Sequence, residues 1–258
     1  KMLFEKKIEN DILPALKNDC IKTYIQPKVD MRTGRIVGGE ALVRWQREDG
    51  SMVYPDEFIP VIEKNGYVLD VDDYMWDKVC YYIKQLEKEG KTPVPISINV
   101  SRMHVYQEDF IDRIKKITSK YDINPKLIPL EITESAFTSE ESSLYRKIKS
   151  LQDCGYRFSM DDFGSGYSSL GMLKDEHVDE VKIDKTFVDD IATDKGRILL
   201  KNVIQMIRAL GIDMIAEGVE TKEQADFLVN NGCIYAQGYY YYRPMPIEDF
   251  VLLLEKSG

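Results

Sequence analysis

The chain has 258 residues, 43% of them hydrophobic, and a formal net charge of −9. This is enough length and apolar content for one large α/β barrel or for two small domains. The acidic balance argues against a nucleic-acid duplex or an anionic membrane as the main partner, although an anionic small molecule can still bind where metal ions invert the local potential. No apolar run reaches the length of a membrane span, and the mixed-charge opening KMLFEKKIEND is no signal peptide. The first residue is Lys1, which suggests a piece of a longer chain. Four scattered cysteines (Cys20, Cys80, Cys154, Cys233) form no CxxC pair and read as reduced, mostly buried thiols of a cytosolic protein. With only two histidines, His104 and His177, a histidine-rich metal site or a histidine-based triad is not expected.

Residues 1–22 form an expected N-terminal helix, either a linker from an upstream domain or a lid on the bottom of a barrel, with Leu3, Phe4, Ile8, Ile12, Leu13 and Leu16 set among charges. Residues 23–258 make up the main domain. Its strands are predicted at 23–29, 36–43, 94–100, 127–132, 156–160, 178–183, 213–216 and 233–235. Helical patterns lie near 56–65, 69–89, 107–120, 142–153, 195–210 and 222–230, with a last helix from about 247. Over 195–210, Ile198, Leu199, Val203, Ile207 and Leu210 are placed on one apolar face. Only Met31 to Gly34 separates the first two strands, which predicts a hairpin. From there on strands alternate with helices, the pattern of a parallel sheet, and about eight strands over this length favour a closed barrel.

In such a barrel the reactive residues sit at the C-terminal ends of the strands. The second strand carries Glu40 and leads to Arg44; the third ends in Asn99; the fourth carries Glu131 and leads to Glu134. The fifth ends in Asp161 and Asp162, followed by a Gly164-Ser165-Gly166 turn that reads as leading into a short helix. Lys182 lies on the sixth, Glu217 follows the seventh and Gln237 the eighth. A lone charged residue in a strand is more often salt-bridged or at an edge than a ligand. Here an acid, an amide or a lysine recurs at the equivalent place in strand after strand. Glu40, Glu131, Asp161, Asp162 and Glu217 against Lys182 leave the set about four charges negative, which burial would not tolerate unaided. Two divalent cations would neutralise it. An oxygen-only donor set points to Mg²⁺ or Mn²⁺, and a pair of such ions suits in-line displacement at phosphorus by water. The chemistry implied is phosphodiester hydrolysis.

The segments EALVRW, SINVS, EITES, DDFGSGYSSL, VKID, AEGVE and AQGYYYYRPMP, in this order, resemble the EAL-domain cyclic-di-GMP phosphodiesterases. Each is weak alone; together they cover nearly the whole chain from Thr23 onward and are highly specific. The resemblance implies a modified TIM (β/α)8 barrel with an antiparallel first strand. It also implies hydrolysis of cyclic di-GMP to linear pGpG, ending a second-messenger signal. Glu40, Asn99, Glu131 and Asp161 would hold one metal, and Asp161, Asp162 and Glu217 the other. Lys182 would contact the attacking water, with Gln237 near the same network, while Arg44, Gln26 and Glu40 would meet the substrate. Glu134 would pin the loop that begins with Gly164, Ser165 and Gly166, and that loop couples metal binding to dimerisation in the family. Glu220 would stand behind the ligands. A homodimer, an upstream sensory or GGDEF-type domain, and a cytoplasmic location (alone or as part of a membrane-anchored protein) also follow. The alternative is a non-catalytic cyclic-di-GMP receptor; such receptors usually lack metal ligands or the loop, and here every ligand position is filled.

Lys28 departs from the apolar residue that many members carry, and is expected to point outward because lysines usually do. The inward alternative would have it touch guanine or phosphate. Read as a strand, the run Tyr239 to Tyr242 would turn two of its four rings to the mouth. His104 is expected to be structural, His177 to lie at the surface or at a dimer contact, and Tyr81 and Tyr82 to pack.

Overall fold

The short connection after residue 30 does make a hairpin. In the computed structural model, which describes residues 2–136, 142–164, 173 and 178–257, β1 (Ile21–Asp30) and β2 (Arg35–Gln46) pair antiparallel with Gln26 opposite Glu40. Gly34, at φ +71°, supplies the left-handed turn residue between them. Six further strands follow: β4 (Ile96–Asn99), β5 (Leu130–Thr133), β6 (Phe158–Phe163), β7 (Glu180–Ile183), β8 (Asp213–Ala216) and β9 (Tyr235–Ala236). They pair in parallel from β2 round to β9, and β1 closes the ring antiparallel to both β2 and β9. The result is the modified TIM barrel with a reversed first strand. Two short strands lie outside the expected set: β3 (Met52–Val53) pairs antiparallel with the end of β2, and β10 (Met245–Pro246) pairs antiparallel with β1.

Alternation along each strand divides the structure. Outward residues such as Ile96 and Ile98, Leu130 and Ile132, and Val181 and Ile183 are buried beneath a jacket of helices that includes Val68–Lys88 and Asp194–Ala209. The N-terminal helix Met2–Lys17 joins this layer through Ile8 and Ile12, both fully buried, and packs against the helix Pro55–Asn65. The expected face on Asp194–Ala209 is corrected. Gly196, Leu200, Ile204 and Ile207 are buried, while Ile198, Leu199 and Leu210 are exposed, because the apolar arc is wider than the barrel wall it covers. Among the described residues no helix is long and apolar enough to cross a membrane.

Candidate active site

The inward residues of the barrel fall into two tiers. Near the C-terminal mouth stand Gln26, Glu40, Asn99, Asp161 and Lys182, joined by Glu217 and Gln237 just beyond β8 and β9. Towards the foot, Lys28, Gly38, Ser97, Ser159, Glu180, Ile215 and Tyr235 line a cavity of about 240 Å³. Glu131 belongs to both tiers, since its register partners are Asn99 on one side and Ser159 on the other. A TIM barrel ordinarily fills this space with branched apolar side chains; here it is filled with ions.

Lys182 is the hub. Its Nζ lies 2.6 Å from Glu131, 2.8 Å from Glu217, 2.9 Å from Asp161 and 3.2 Å from Glu40, and the side chain is only 1% exposed. Burial alone would favour the neutral amine, but Asp161, Glu131, Glu217 and Glu40 outweigh it and hold the lysine pKa well above its usual value. One ammonium cannot balance them all. Burial and the neighbouring Glu131 push Glu40 up; burial, with Asp161 and Glu40 adding to it against Lys182, pushes Glu217 up to about 8. Glu131 goes the other way: it is desolvated, yet Lys182 and Lys28 together hold its carboxyl well below the usual range. Gln237 spans the set by donating from Nε2 to Glu40 (2.7 Å) and Glu217 (2.9 Å), and Asn99 donates to Glu40 at 3.1 Å.

Two adjacent strand residues should face opposite sides of a sheet, yet Asp161 and Asp162 both serve the mouth. A bulge makes this possible. Met160 pairs with Val181 and Phe163 with Ile183, so Asp161 and Asp162 together oppose the single residue Lys182. Asp162 adopts φ +57°, a left-handed conformation that aspartate tolerates better than most residues. Carboxylate oxygens of Asp161, Asp162 and Glu217 lie within 4.8 Å of one another, as do those of Glu40, Glu131 and Asp161. Just past the bulge, Gly164 donates its backbone N–H to Glu134 Oε2 at 3.0 Å. Ser165, Gly166, the expected short helix and His177 lie outside the described residues.

Arg44 donates to the carbonyl of Val43 at 2.8 Å and sits 5.7 Å above the Tyr24 ring. With Glu40, Asp72, Asn99 and Arg102 it lines a cavity of about 530 Å³ at the mouth. Gln26 faces the same interior opposite Glu40. His104 is structural, fully buried and tilted against Trp76 at 4.5 Å, with burial lowering its pKa to about 4.

Other expectations need correction. Lys28 points inward, not outward: its Nζ donates to Glu131 Oε1 at 2.8 Å and lies 3.6 Å from Glu180. Its position two residues after Gln26 on the same strand puts both on one face, and that period was the available signal. Its charged end is engaged by Glu131, beneath the rest of the carboxylates. The tyrosine run forms a turn, so strand alternation does not apply; Tyr239 stacks with Arg243, centroid distance 4.5 Å, and Tyr240 packs edge-on against Tyr241. Glu220 pairs with Lys185 at the surface and not with the carboxylate set. Of the four unpaired cysteines only Cys80 and Cys233 are buried, and Cys154 is exposed.

The donor set fits divalent cations. It is all oxygen, it carries more negative charge than Lys182 and Lys28 balance, and beside it the buried Gln237 Oε1 has no hydrogen-bond partner. A family model for the EAL domain matches residues 9–244. The chain is 35% identical over 237 residues to the signaling protein YkoW of Bacillus subtilis, covering 92% of this chain and 30% of that one. It is 33% identical over 241 residues to the probable cyclic di-GMP phosphodiesterase PdeG of Escherichia coli, covering 93% of this chain and 48% of that one. The chain thus spans between about a third and a half of the length of these relatives. Among solved structures, the PaMucR phosphodiesterase in complex with c-di-GMP superposes with a TM-score of 0.89 at 30% identity, over 95% of this chain and 99% of that one.

Proposed function

This chain belongs to the EAL domain family, and from that premise we propose that it hydrolyses one phosphodiester bond of cyclic di-GMP to give linear pGpG. The observation that carries this reading is the convergence of Glu40, Glu131, Asp161 and Glu217 on one buried ammonium at a barrel mouth, with Asp162 turned in beside them by a bulge. Glu40, Asn99, Glu131 and Asp161 would hold one Mg²⁺ or Mn²⁺; Asp161, Asp162 and Glu217 would hold a second. Bound there, the cations would supply Lewis-acid stabilisation of charge at phosphorus and ease the deprotonation of water.

The remaining work falls to the chain. Lys182, kept protonated by its carboxylates, would orient the attacking water and stabilise negative charge as it develops. Gln237, whose Nε2 already ties Glu40 to Glu217, would offer its free Oε1 to the same water. Arg44 would meet a phosphate of the dinucleotide, for which a guanidinium fork is well shaped, and Gln26 would contact the ligand beside Glu40. Glu134 would hold Gly164, and through it the loop that follows. A homodimer and a further domain in the full-length protein complete the reading.

The test is direct. Purified protein with cyclic di-GMP and Mg²⁺ or Mn²⁺ should release pGpG, and EDTA should stop it. Glu40→Ala and Asp161→Ala should each lower turnover by roughly a thousandfold, since each removes a cation ligand. Near-normal rates in either variant would overturn the assignment, and tight binding of cyclic di-GMP without product would make the domain a receptor.

A further inference from the structure

We propose that Lys28 is a positioning residue that restricts Glu131 to a single ligating oxygen and sets the site's affinity for divalent cations from below. This deepens the reading above and rests on it. Glu131 is fully buried, and each of its oxygens has its own ammonium. Oε2 faces Lys182 at 2.6 Å, within the carboxylate set; Oε1 faces Lys28 at 2.8 Å, on the side of the foot. A carboxylate held this way cannot rotate to offer both oxygens to one cation without abandoning a buried lysine, and an unpaired buried charge is strongly unfavourable. Lys28 itself is only 9% exposed, and among the described residues Glu180 at 3.6 Å is its one other ion-pair partner within 4 Å. Its positive charge therefore bears mainly on Glu131, weakening the pull of the mouth on cations.

The geometry behind this is the register of the hairpin. Gln26 and Lys28 share the inward face of β1, Gln26 opposite Glu40 and Lys28 opposite Gly38. A Cβ at Gly38 would lie 2.9 Å from the Pro95 carbonyl oxygen and 3.9 Å from Lys28 Cδ, and the stem of Lys28 forms part of the wall of the foot cavity. The lysine thus enters the barrel from the end opposite the mouth and touches the site only through Glu131.

The experiment is calorimetric titration of Mn²⁺ into metal-stripped protein without substrate. Lys28→Met should bind Mn²⁺ at least about tenfold more tightly than the unaltered protein, because a positive charge beneath the site is gone and Glu131 Oε1 is released. Glu180→Gln should bind about threefold more weakly, because the charge of Lys28 is then no longer shared. Lys28→Arg should stay within about threefold of the unaltered protein. Opposite shifts in the first two variants support the inference, since general damage to the barrel would weaken both. Folded Lys28→Met with unchanged or weaker affinity overturns it, as does Lys28→Arg behaving like Lys28→Met. Should Lys28→Met not fold, Glu180→Gln decides: weaker binding supports the role, and unchanged or tighter binding refutes it. An unaltered protein that takes up no Mn²⁺ overturns the cation reading and this inference with it, whereas binding that none of the variants shifts overturns only the role of Lys28.

Discussion

Replacing Glu131 by glutamine tests whether the interior of this barrel is held together by its charges. The side chain keeps its shape and loses its charge. Its amide oxygen can still accept from one ammonium, but its NH₂ must then face the other. Lys182 would retain Asp161, Glu217 and Glu40 at 2.8–3.2 Å, so the loss there is modest. Among the described residues Lys28 would retain only Glu180, at 3.6 Å, as an ion-pair partner, and the damage falls on it. Removing one partner of a buried ion pair costs about 3–5 kcal/mol, and partial compensation by Glu180 places the expectation at the low end, about 3 kcal/mol. With a denaturant slope of roughly 3 kcal/mol per molar urea, the unfolding midpoint should fall by about 1 M. Equilibrium urea unfolding followed by circular dichroism measures this without reference to activity. An unchanged midpoint would show that Lys28 can do without Glu131, and the electrostatic account of the core would fail.

Two further outcomes are expected. Gly164→Ala should cost at least about 2 kcal/mol and depress turnover, because Gly164 has φ +96° and a Cβ there would lie 2.0 Å from Phe187 Cε2; an unaltered melting temperature would refute this. Asp72, which accepts from the Ser101 N–H at 3.1 Å, has its carboxyl pushed by burial from 3.8 to about 7. The folded state therefore keeps this proton longer than the unfolded state. The contribution of Asp72 is complete below about 3.8 and is lost as the pH rises through about 7. Asp72→Asn should match the unaltered protein near the lower value and exceed it by about 2–4 kcal/mol above the higher one. Urea midpoints followed across pH would show this divergence, and parallel profiles would exclude it.

The ring of polar strand ends was legible in the sequence because a barrel obeys simple rules: alternate residues face inward, and the ends of successive strands converge. Glu40, Asn99, Glu131, Asp161, Lys182, Glu217 and Gln237 could be placed together on that basis. Lys28 was misjudged because a general preference for exposed lysine was allowed to outweigh the period of its own strand, which Gln26 had already fixed. The face of Asp194–Ala209 was misplaced by one helical row, since several apolar rows compete there and sequence does not say which one meets the wall. The tyrosine run misled for a different reason: alternation was applied to residues that turn. Nothing in composition announced the bulge, as an extra residue in one strand shows only once its partner is known.

That extra residue separates what the strand needs from what the chemistry needs. Hydrogen bonding between β6 and β7 is satisfied by Met160 and Phe163 on either side of it. A chain one residue shorter at Asp162 could close the same ladder, more regularly, with Asp161 alone across from Lys182. Such a deletant would keep Met160 and Phe163 as pairing residues while missing one oxygen donor. A domain of this architecture could therefore lose a donor at its mouth through a single codon without losing the pairing residues that frame it.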